Sequence, residues 1–285
     1  MRAGDTLVRR TMLFVPGDRY DRIQKSVGLS ADSIILDLED AVAISQKETA
    51  RGFVGKALQE LDFKGKEKVV RINSLRTLEG LHDILFLSGL TCYPDAVMVP
   101  KVETAGEITQ VASLLDGIKS EIKIIPLLES AAGVMAAKEI AVASSKINGL
   151  FFGGGDFAGE LGCAMDWESL YHARAAIVLA AACAKLDVFD VPYLDVTDLE
   201  GLEMEASRAA QMGFTGKGVI HPRQIATVNK VFTPSAADIE WAQRVTAALG
   251  NSVSGALAVD GKMIDAAIVK RAEKIIKSAR QLSLL

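Results

Sequence analysis

Eight short runs of apolar, mostly β-branched residues are distributed along the chain, with amphipathic stretches between them. This alternation is typical of strands and helices that build a parallel sheet. Most neighbouring runs begin about 20 to 35 residues apart, which is enough for one strand, one helix and two loops. The runs are Met12–Val15, Ile34–Leu38, Lys68–Ile72, Ala96–Val99, Ile124–Leu128, Leu150–Phe152, Phe189–Leu194 and Lys217–Ile220.

The number and spacing of the runs predict an α/β fold, a closed (β/α)8 TIM barrel, with an open doubly wound sheet as the alternative. The spacing is widest between the sixth and seventh runs, where residues 153–167 are predicted to form a long loop before a helix. We expect the barrel over residues 1–232 and a C-terminal helical extension, or lid, over residues 233–285. Its last helix, predicted from Asp265 to Arg280, is apolar at helical spacing and needs a surface on its own barrel or a neighbouring subunit's.

Composition and charge exclude several classes of partner. The 285 residues are 49% hydrophobic and 24% charged, as in ordinary globular proteins. A formal net charge of −4 without a basic stripe argues against nucleic acid. The apolar runs are too short for a signal-peptide core or a membrane span, and three scattered cysteines predict neither a disulfide framework nor a zinc site. We therefore expect a cytoplasmic protein without a membrane partner.

Polar residues follow the apolar runs at the same end, one strand after another. In a parallel barrel these ends converge on one rim, where such enzymes place their active sites. The sequence therefore predicts that these side chains surround a common site. In chain order they are Asp37 with Glu39, Arg71, Lys101, Glu129, Asp156, Asp195 and His221.

Two of these carboxylates, Glu129 and Asp156, leave adjacent strands and can share one cation. Two carboxylates completed by water and substrate oxygens suit magnesium. The alternative, that each acid caps the helix after it, is equally consistent with the residues alone. The glycines before Asp156, among them Gly155, allow close backbone approach, so that free N–H groups face a small anionic substrate.

Arg71 ends a strand that is otherwise apolar. A guanidinium on the rim binds a carboxylate through two parallel hydrogen bonds, and the alternative is an ion pair with Asp37 or Glu39 that closes the rim. Asp37 and Glu39 either hold metal-bound waters or pair with neighbouring lysines. His221 precedes Pro222, where fixing a turn is favoured over proton transfer.

An ordered set of motifs runs along the chain from about Arg9 to Lys277. The motifs are RTMLFVPG at 10–17, ILDLEDAV at 35–42, VRIN at 70–73, LES at 128–130, GDF at 155–157, GFTGK at 213–217, IHP at 220–222 and GKMID at 261–265. Together they resemble the citrate lyase beta subunit-like enzymes of the HpcH/HpaI aldolase/citrate lyase superfamily, which includes malyl-CoA and citramalyl-CoA lyases.

The resemblance implies a barrel, a homotrimer and a Mg²⁺ ion bound by Glu129 and Asp156, for which Mn²⁺ is an alternative. It implies that Arg71 holds the carboxylate and oxo group of the substrate. Phe14, Arg19 and Lys25 match positions that contact coenzyme A.

The same resemblance implies an activity. Asp265 matches an acid that the C-terminal segment of a neighbouring subunit delivers, which makes Asp265, Arg71 and Glu129 the expected catalytic residues. The implied reaction is Mg²⁺-dependent cleavage of a 3-hydroxyacyl-CoA, of the citramalyl-CoA or malyl-CoA type, into acetyl-CoA and a 2-oxo acid such as pyruvate or glyoxylate. Two alternatives stay open: a citrate lyase beta subunit that cleaves a citryl thioester to oxaloacetate, and a malyl-CoA thioesterase.

Overall fold

Eight parallel strands pair in sequence order and close into a barrel, because β1 pairs with both β2 and β8. This closure confirms the predicted (β/α)8 fold in a computed structural model that describes residues 8–250, 257–259 and 262–285. The strands are β1 (Thr11–Pro16), β2 (Ser33–Asp37), β3 (Glu67–Arg71), β4 (Ala96–Val99), β5 (Lys123–Leu128), β6 (Gly149–Phe152), β7 (Asp187–Asp190) and β8 (Gly216–Val219).

Helices lie between the strands, and several begin at a residue whose side chain accepts a hydrogen bond from the first helical turn. Thr104, for example, forms a capping box with Glu107. The chain divides into two compact units, of which Arg9–Asn229 is the barrel unit. The helices up to the unit boundary are α1 (Tyr20–Ser26), α2 (Lys47–Glu60), α3 (Leu78–Ser88), α4 (Ala105–Ile118), α5 (Ala131–Met135), α6 (Ala137–Ala141), α7 (Gly154–Leu161), α8 (Trp167–Ala184), α9 (Leu199–Met212) and α10 (Pro222–Phe232).

The barrel interior is a packed core and not an open channel. Alternate residues of the strands point inward, and those that form the interior cluster are at most 2% exposed. Since the lower interior is filled, the space for a ligand lies at the rim. The cluster consists of Met12, Ile35, Val69, Ala96, Met98, Ile125, Leu127, Phe151 and Phe189.

Two local predictions were wrong. The seventh strand covers Asp187–Asp190 and ends before Pro192, whereas the sequence predicted it up to Leu194. Proline has no N–H to give to a strand ladder, so the chain leaves the sheet there. Residues 153–167 contain α7 and are not one continuous loop. Gly154 and Gly155 lie in the first turn of α7, where N–H groups need no helical partner.

A buried ion cluster closes the opposite end of the barrel from the rim. Arg9 is 7% exposed, and its Nη2 donates to Asp187 Oδ2 and to the Asn148 carbonyl oxygen, both at 2.6 Å. Its Nη1 lies 3.4 Å from Glu67 Oε1, and its guanidinium lies 5.1 Å from the Phe189 ring. Burial raises the pKa of Glu67, which the Arg9 charge opposes. The arginine therefore ties β3, β6 and β7 together beneath the core.

The C-terminal unit has its own small core. Its helices are α11 (Ala236–Gly250) and α12 (Ala266–Gln281), and an antiparallel pair of strands, β9 (Leu257–Val259) and β10 (Lys262–Ile264), lies between them in sequence. The apolar face of α12 packs on α11, where Ala242, Val245 and Ala272 are fully buried. The surface that the amphipathic last helix requires is thus present on α11. Among the described residues, no helix is long and apolar enough to cross a membrane.

Replacing Arg9 with methionine should lower the free energy of unfolding by about 3–5 kcal/mol, because the buried Glu67 carboxylate loses its counter-charge. The matched control is Arg76→Met, which also removes an arginine with two carboxylate partners, Glu103 and Glu107, but at 46% side-chain exposure. That exposed variant should cost less than about 1 kcal/mol. Denaturant titration measures the free energy of unfolding of both variants. An equal loss in the two would contradict a stabilising role for the buried ion cluster around Arg9.

Candidate active site

A cavity of about 250 Å³ opens at the rim where the carboxyl ends of the strands converge. Its lining combines four carboxylates and one guanidinium with apolar side chains. This arrangement confines strong charge to one part of a largely apolar pocket. The lining residues are Phe14, Asp37, Asp40, Ala41, Arg71, Leu127, Glu129, Phe151, Gly153, Gly155, Asp156, Met165, Val191, Pro192, Leu194 and Ile220.

Six of the residues that the sequence singled out meet in this pocket: Phe14, Asp37, Arg71, Glu129, Gly155 and Asp156. They come from β1, β2, β3, the residue after β5 and the start of α7, so they are separated by up to 142 positions in sequence and gathered only by barrel closure. Of the eight polar residues predicted to share one site, four line this pocket: Asp37, Arg71, Glu129 and Asp156.

Arg71 is held between two buried carboxylates. Its Nε and Nη2 donate to Asp37 at 2.8 and 2.5 Å, and its Nη1 lies 2.8 Å from Glu39 Oε2. The guanidinium also lies 5.1 Å from the Phe14 ring. The ion pairs that the sequence offered as one reading of Arg71 are thus present. Because each terminal nitrogen carries two N–H groups, both retain a donor for a ligand.

Lys101 connects the acidic pair of β2 to Glu129. Its Nζ donates to Glu39 Oε1 at 2.7 Å, and its backbone N–H donates to Glu129 Oε1 at the same distance. The residue adopts a left-handed backbone conformation with φ of 55°, which is uncommon for a non-glycine residue. This conformation lets one residue bind both carboxylates. Of the two readings given to the β2 acids, pairing with a neighbouring lysine is the one observed for Glu39.

The pocket carries more negative than positive charge. Glu129 is 5% exposed, and burial, with repulsion from Glu39 and Asp156, raises its pKa to about 9. Asp156 is exposed to the pocket and has no hydrogen bond or ion pair within the described part of the chain. Two carboxylates that repel each other and lack a shared counter-charge are a donor set that fits a divalent cation.

That donor set suits Mg²⁺ better than a transition metal. Within residues 8–250, 257–259 and 262–285, no group of three or more His, Cys, Asp or Glu side chains forms a complete metal site. An ion held by Glu129 and Asp156 would complete its shell with water or ligand oxygens, which is the usual environment of Mg²⁺. The residues present therefore fit the ion expected from the sequence.

Three residues with predicted roles are not among the residues that line the pocket. Arg19 directly precedes α1 and Lys25 lies in its last turn; their side chains are 48% and 80% exposed, and both pair with Asp21. Asp265 belongs to the C-terminal unit, where its Oδ1 accepts hydrogen bonds from Ala267 N and Ile268 N at 2.9 Å as the N-cap of α12. Gly261 of its motif lies outside the described residues.

Two of the strand-end residues are accounted for by turns. Asp195 Oδ1 accepts a hydrogen bond from Thr197 N at 2.8 Å within the loop after β7. His221 Nδ1 accepts one from Arg223 N at 3.2 Å, which is the turn-fixing role favoured by its sequence context. Neither residue lines the pocket.

Sequence reasoning missed the apolar side of the pocket. Val191, Pro192, Leu194 and Ile220 line it from the segments that follow β7 and β8. An apolar residue after a strand carries no signal that separates a pocket wall from a core position. The one available signal was position, since Ile220 is the last residue of a predicted strand.

Known proteins are similar to this chain in sequence and in fold. A model of the HpcH/HpaI aldolase/citrate lyase family matches residues 10–222. A model of the C-C bond lyases of the TIM-barrel fold matches residues 167–283. The citrate lyase beta subunit of Leuconostoc mesenteroides subsp. cremoris is 37% identical over 286 residues, which cover 95% of this chain and 93% of that protein. The mitochondrial citramalyl-CoA lyase of Rattus norvegicus is also 37% identical, over 95% of this chain and 86% of its own.

One of the solved structures similar to this chain contains bound ligands. The crystal structure of CitE from Mycobacterium tuberculosis, in complex with magnesium, acetoacetate and coenzyme A, is 34% identical and superposes with a TM-score of 0.81. The match covers 98% of this chain and all of that one. The barrel and its rim site define a carbon–carbon lyase of the TIM-barrel class. The chain belongs to the HpcH/HpaI aldolase/citrate lyase family.

Gly153→Ala should distort the site, because a methyl group there would overlap Glu129 Cβ and lie 2.7 Å from Glu129 Oε2. Gly153 has an ordinary negative φ of −96°, so the effect is steric and not backbone strain. We expect a loss of about 1–3 kcal/mol in unfolding free energy. Gly159→Ala in α7 is the control, since its methyl would meet no atom within 4 Å and helix propensity should stabilise it slightly. Similar denaturation curves for the two variants would contradict the close packing of Gly153 on Glu129.

Proposed function

We propose that this protein cleaves a 3-hydroxyacyl-CoA, of the citramalyl-CoA or malyl-CoA type, into acetyl-CoA and a 2-oxo acid in a Mg²⁺-dependent reaction. The observation that carries the proposal is the convergence of Glu129, Asp156 and Arg71 on one pocket. The names of the relatives support the class of substrate, since they include a citramalyl-CoA lyase and an L-malyl-CoA/beta-methylmalyl-CoA lyase.

Glu129 and Asp156 would hold the metal ion. When bound, Mg²⁺ supplies Lewis-acid stabilisation for the negative charge that develops on oxygen during cleavage. The Lys101 backbone N–H, 2.7 Å from Glu129 Oε1, fixes the rotamer of that carboxylate and leaves its second oxygen for the ion. Burial and the repulsion from Glu39 and Asp156 raise the pKa of Glu129, and a divalent cation in place of the carboxyl proton would relieve that repulsion.

Arg71 would bind the carboxylate of the oxo-acid half of the substrate. Asp37 and Glu39 fix the guanidinium plane, so its remaining donors are oriented before the substrate arrives. A charged donor that needs no reorganisation is most effective where negative charge develops. The Phe14 ring lies 5.1 Å from the guanidinium, where it would cover one side of the pair formed by Arg71 and the substrate carboxylate and exclude water.

The reaction moves one proton from the hydroxyl oxygen of the substrate to a carbon of the acetyl thioester. The substrate hydroxyl loses its proton, the C2–C3 bond breaks, and the electron pair of that bond passes to the acetyl thioester as an enolate, which takes up a proton at carbon. Asp265 would donate that proton as a general acid and regain one from solvent, which also takes up the hydroxyl proton, so that no net proton is consumed. We place Asp265 in the lid of a neighbouring subunit of a homotrimer, and Arg19 and Lys25 on the surface of α1 as partners for the phosphates of coenzyme A.

The direct test is a panel of citramalyl-CoA, malyl-CoA and citryl-CoA, assayed with Mg²⁺ on the purified chain. Formation of acetyl-CoA together with an oxo acid is the expected result. Release of free CoA without acetyl-CoA would instead indicate a thioesterase. Activity only on an acyl-carrier-protein thioester would indicate a citrate lyase subunit, and turnover that survives metal chelation would contradict the proposal.

Glu129→Gln and Asp156→Asn should each weaken Mg²⁺ binding by at least about a hundredfold, because each removes a charged oxygen ligand. Isothermal titration of the metal measures this without any substrate. Glu168→Gln is the control, because Glu168 is 74% exposed and pairs only with Arg208 on the outer helices. Unchanged metal affinity in both pocket variants would exclude this pair as the metal site.

Asp265→Asn should reduce cleavage by about a hundredfold to ten-thousandfold, the usual contribution of a general acid. Asparagine also caps helices well, so α12 and the fold should be unaffected. Asp166→Asn is the matched control, since Asp166 caps α8 by accepting from Ser169 N at 2.8 Å. Steady-state rates, with Mg²⁺ affinity measured alongside, test the role, and a wild-type rate in Asp265→Asn would remove it.

A further inference from the structure

The pocket has a charged side and an apolar side. The residues contributed after β2, β3, β5 and β6 include all four carboxylates and the guanidinium. The residues contributed after β7 and β8 are uniformly apolar, and we call them the apolar wall: Val191, Pro192, Leu194 and Ile220. A ligand that lies between the two sides meets charge on one face and hydrocarbon on the other.

The charged side has a place for one ligand carboxylate and not for two. Arg71 is the single cationic residue of the lining, and Asp37 and Glu39 already occupy part of its guanidinium. Four carboxylates share the same lining, so even with a divalent ion the surplus is negative. A second ligand carboxylate would face this surplus or the apolar wall, and either position leaves it without a counter-charge.

The apolar wall is held in place from beneath. Gln224 is fully buried, and its Nε2 donates to the Tyr193 carbonyl oxygen at 2.7 Å. Its Oε1 accepts from the N–H groups of Ile220 at 2.9 Å and His221 at 3.2 Å. One side chain therefore joins the segment after β7 to the segment after β8. A second support comes from Lys217, whose Nζ donates to the Val191 carbonyl oxygen at 2.7 Å.

Packing beneath the wall is equally tight. A methyl group on Gly218 would lie 2.7 Å from Phe151 Cζ and 2.8 Å from Pro192 Cγ. The wall therefore rests directly on the interior core and on the glycine of β8. It has little freedom to retreat from a charged group or to admit water behind it.

We propose that the apolar wall makes this enzyme selective for oxo-acid moieties whose substituent is apolar, against those with a second carboxylate, and that Gln224 is the positioning residue that sets the wall. The proposal rests on the proposed function, because the oxo acid is taken to bind beside Arg71. It favours substrates of the citramalyl type over those of the citryl type. The proposed selectivity depends on the charge of the oxo-acid substituent and not on its size.

Ligand binding tests the proposal without catalysis. Pyruvate, oxaloacetate and 4-methyl-2-oxopentanoate are titrated into the full chain in excess Mg²⁺ by calorimetry. The last compound has nearly the shape of oxaloacetate with two methyl groups in place of the carboxylate oxygens. We expect it and pyruvate to bind at least about a hundredfold more tightly than oxaloacetate, since a buried unpaired charge is costly.

The outcomes separate the two proposals. If oxaloacetate binds as tightly as the apolar acids, or if the two larger acids bind equally weakly, charge selection by the wall is wrong while the lyase assignment stands. If none of the three acids binds although Mg²⁺ does, the oxo-acid site itself is wrong, and both proposals fall.

A cation added to the wall should reverse the preference. Leu194 lines the pocket and is 62% exposed, so Leu194→Arg places a guanidinium at the mouth without burying it. We expect oxaloacetate to gain at least about tenfold relative to 4-methyl-2-oxopentanoate. Leu179→Arg on α8 is the matched control, because Leu179 is 68% exposed and is absent from the lining. An equal change of relative affinity in both variants would mean that the gain is a long-range effect of net charge, and it would overturn the proposed role of the apolar wall.

Gln224→Met tests the positioning role. Methionine fills a similar volume but removes all three hydrogen bonds, so the wall should loosen and the preference over oxaloacetate should fall at least about tenfold. Thr215→Val is the control, because Thr215 likewise joins β7 to β8, through Val188 N and O at 2.9 and 3.0 Å, but at the far end of the strands. Both variants should unfold more easily, and only Gln224→Met should change the ratio of affinities. If the ratio of affinities is unchanged in Gln224→Met, Gln224 stabilises the fold but does not position the apolar wall for selectivity.

Discussion

The parallel pairing of β1 with β8 is the contact on which the site depends. Met12 pairs with Gly218 and Leu13 with Val219, which joins positions more than 200 residues apart in sequence. Without that closure, the segments after β1 and β8 would lie at opposite edges of an open sheet. With it, Phe14, Arg71, Glu129 and the apolar wall surround one cavity. The site therefore depends first on closure of the barrel and only then on the individual residues that line it.

Electrostatics at the rim follow a simple order. Asp37 and Glu39 orient Arg71, Lys101 joins Glu39 to Glu129, and Glu129 faces Asp156. Each cation along this series is shared between carboxylates, so the described lining carries more negative than positive charge. Burial, together with repulsion from Glu39 and Asp156, raises the pKa of Glu129. A divalent ion and an anionic ligand are the chemical complement of such a pocket, and the solved relative contains both kinds of ligand.

The sequence predicted the barrel and the charged half of the pocket well, because both depend on local patterns. Strands that are buried on both faces produce recognisable apolar runs, and functional residues follow their carboxyl ends. The seventh strand was misplaced because it contains Asp187 and Asp190, whose charges are neutralised by Arg9, which precedes β1, and by Lys217 of β8. No local pattern shows such partners. The apolar wall was missed for a related reason, since its identity depends on which segment faces it across the cavity.

The sealed floor of the barrel has a consequence for the order of events at the rim. Arg9 and its partners close one end, and the interior cluster fills the space above them. Whatever occupies the cavity must enter and leave through the same mouth. A small acid held at the bottom cannot depart past a larger molecule that covers it. When two ligands share such a cavity, the one at its bottom must bind first and leave last.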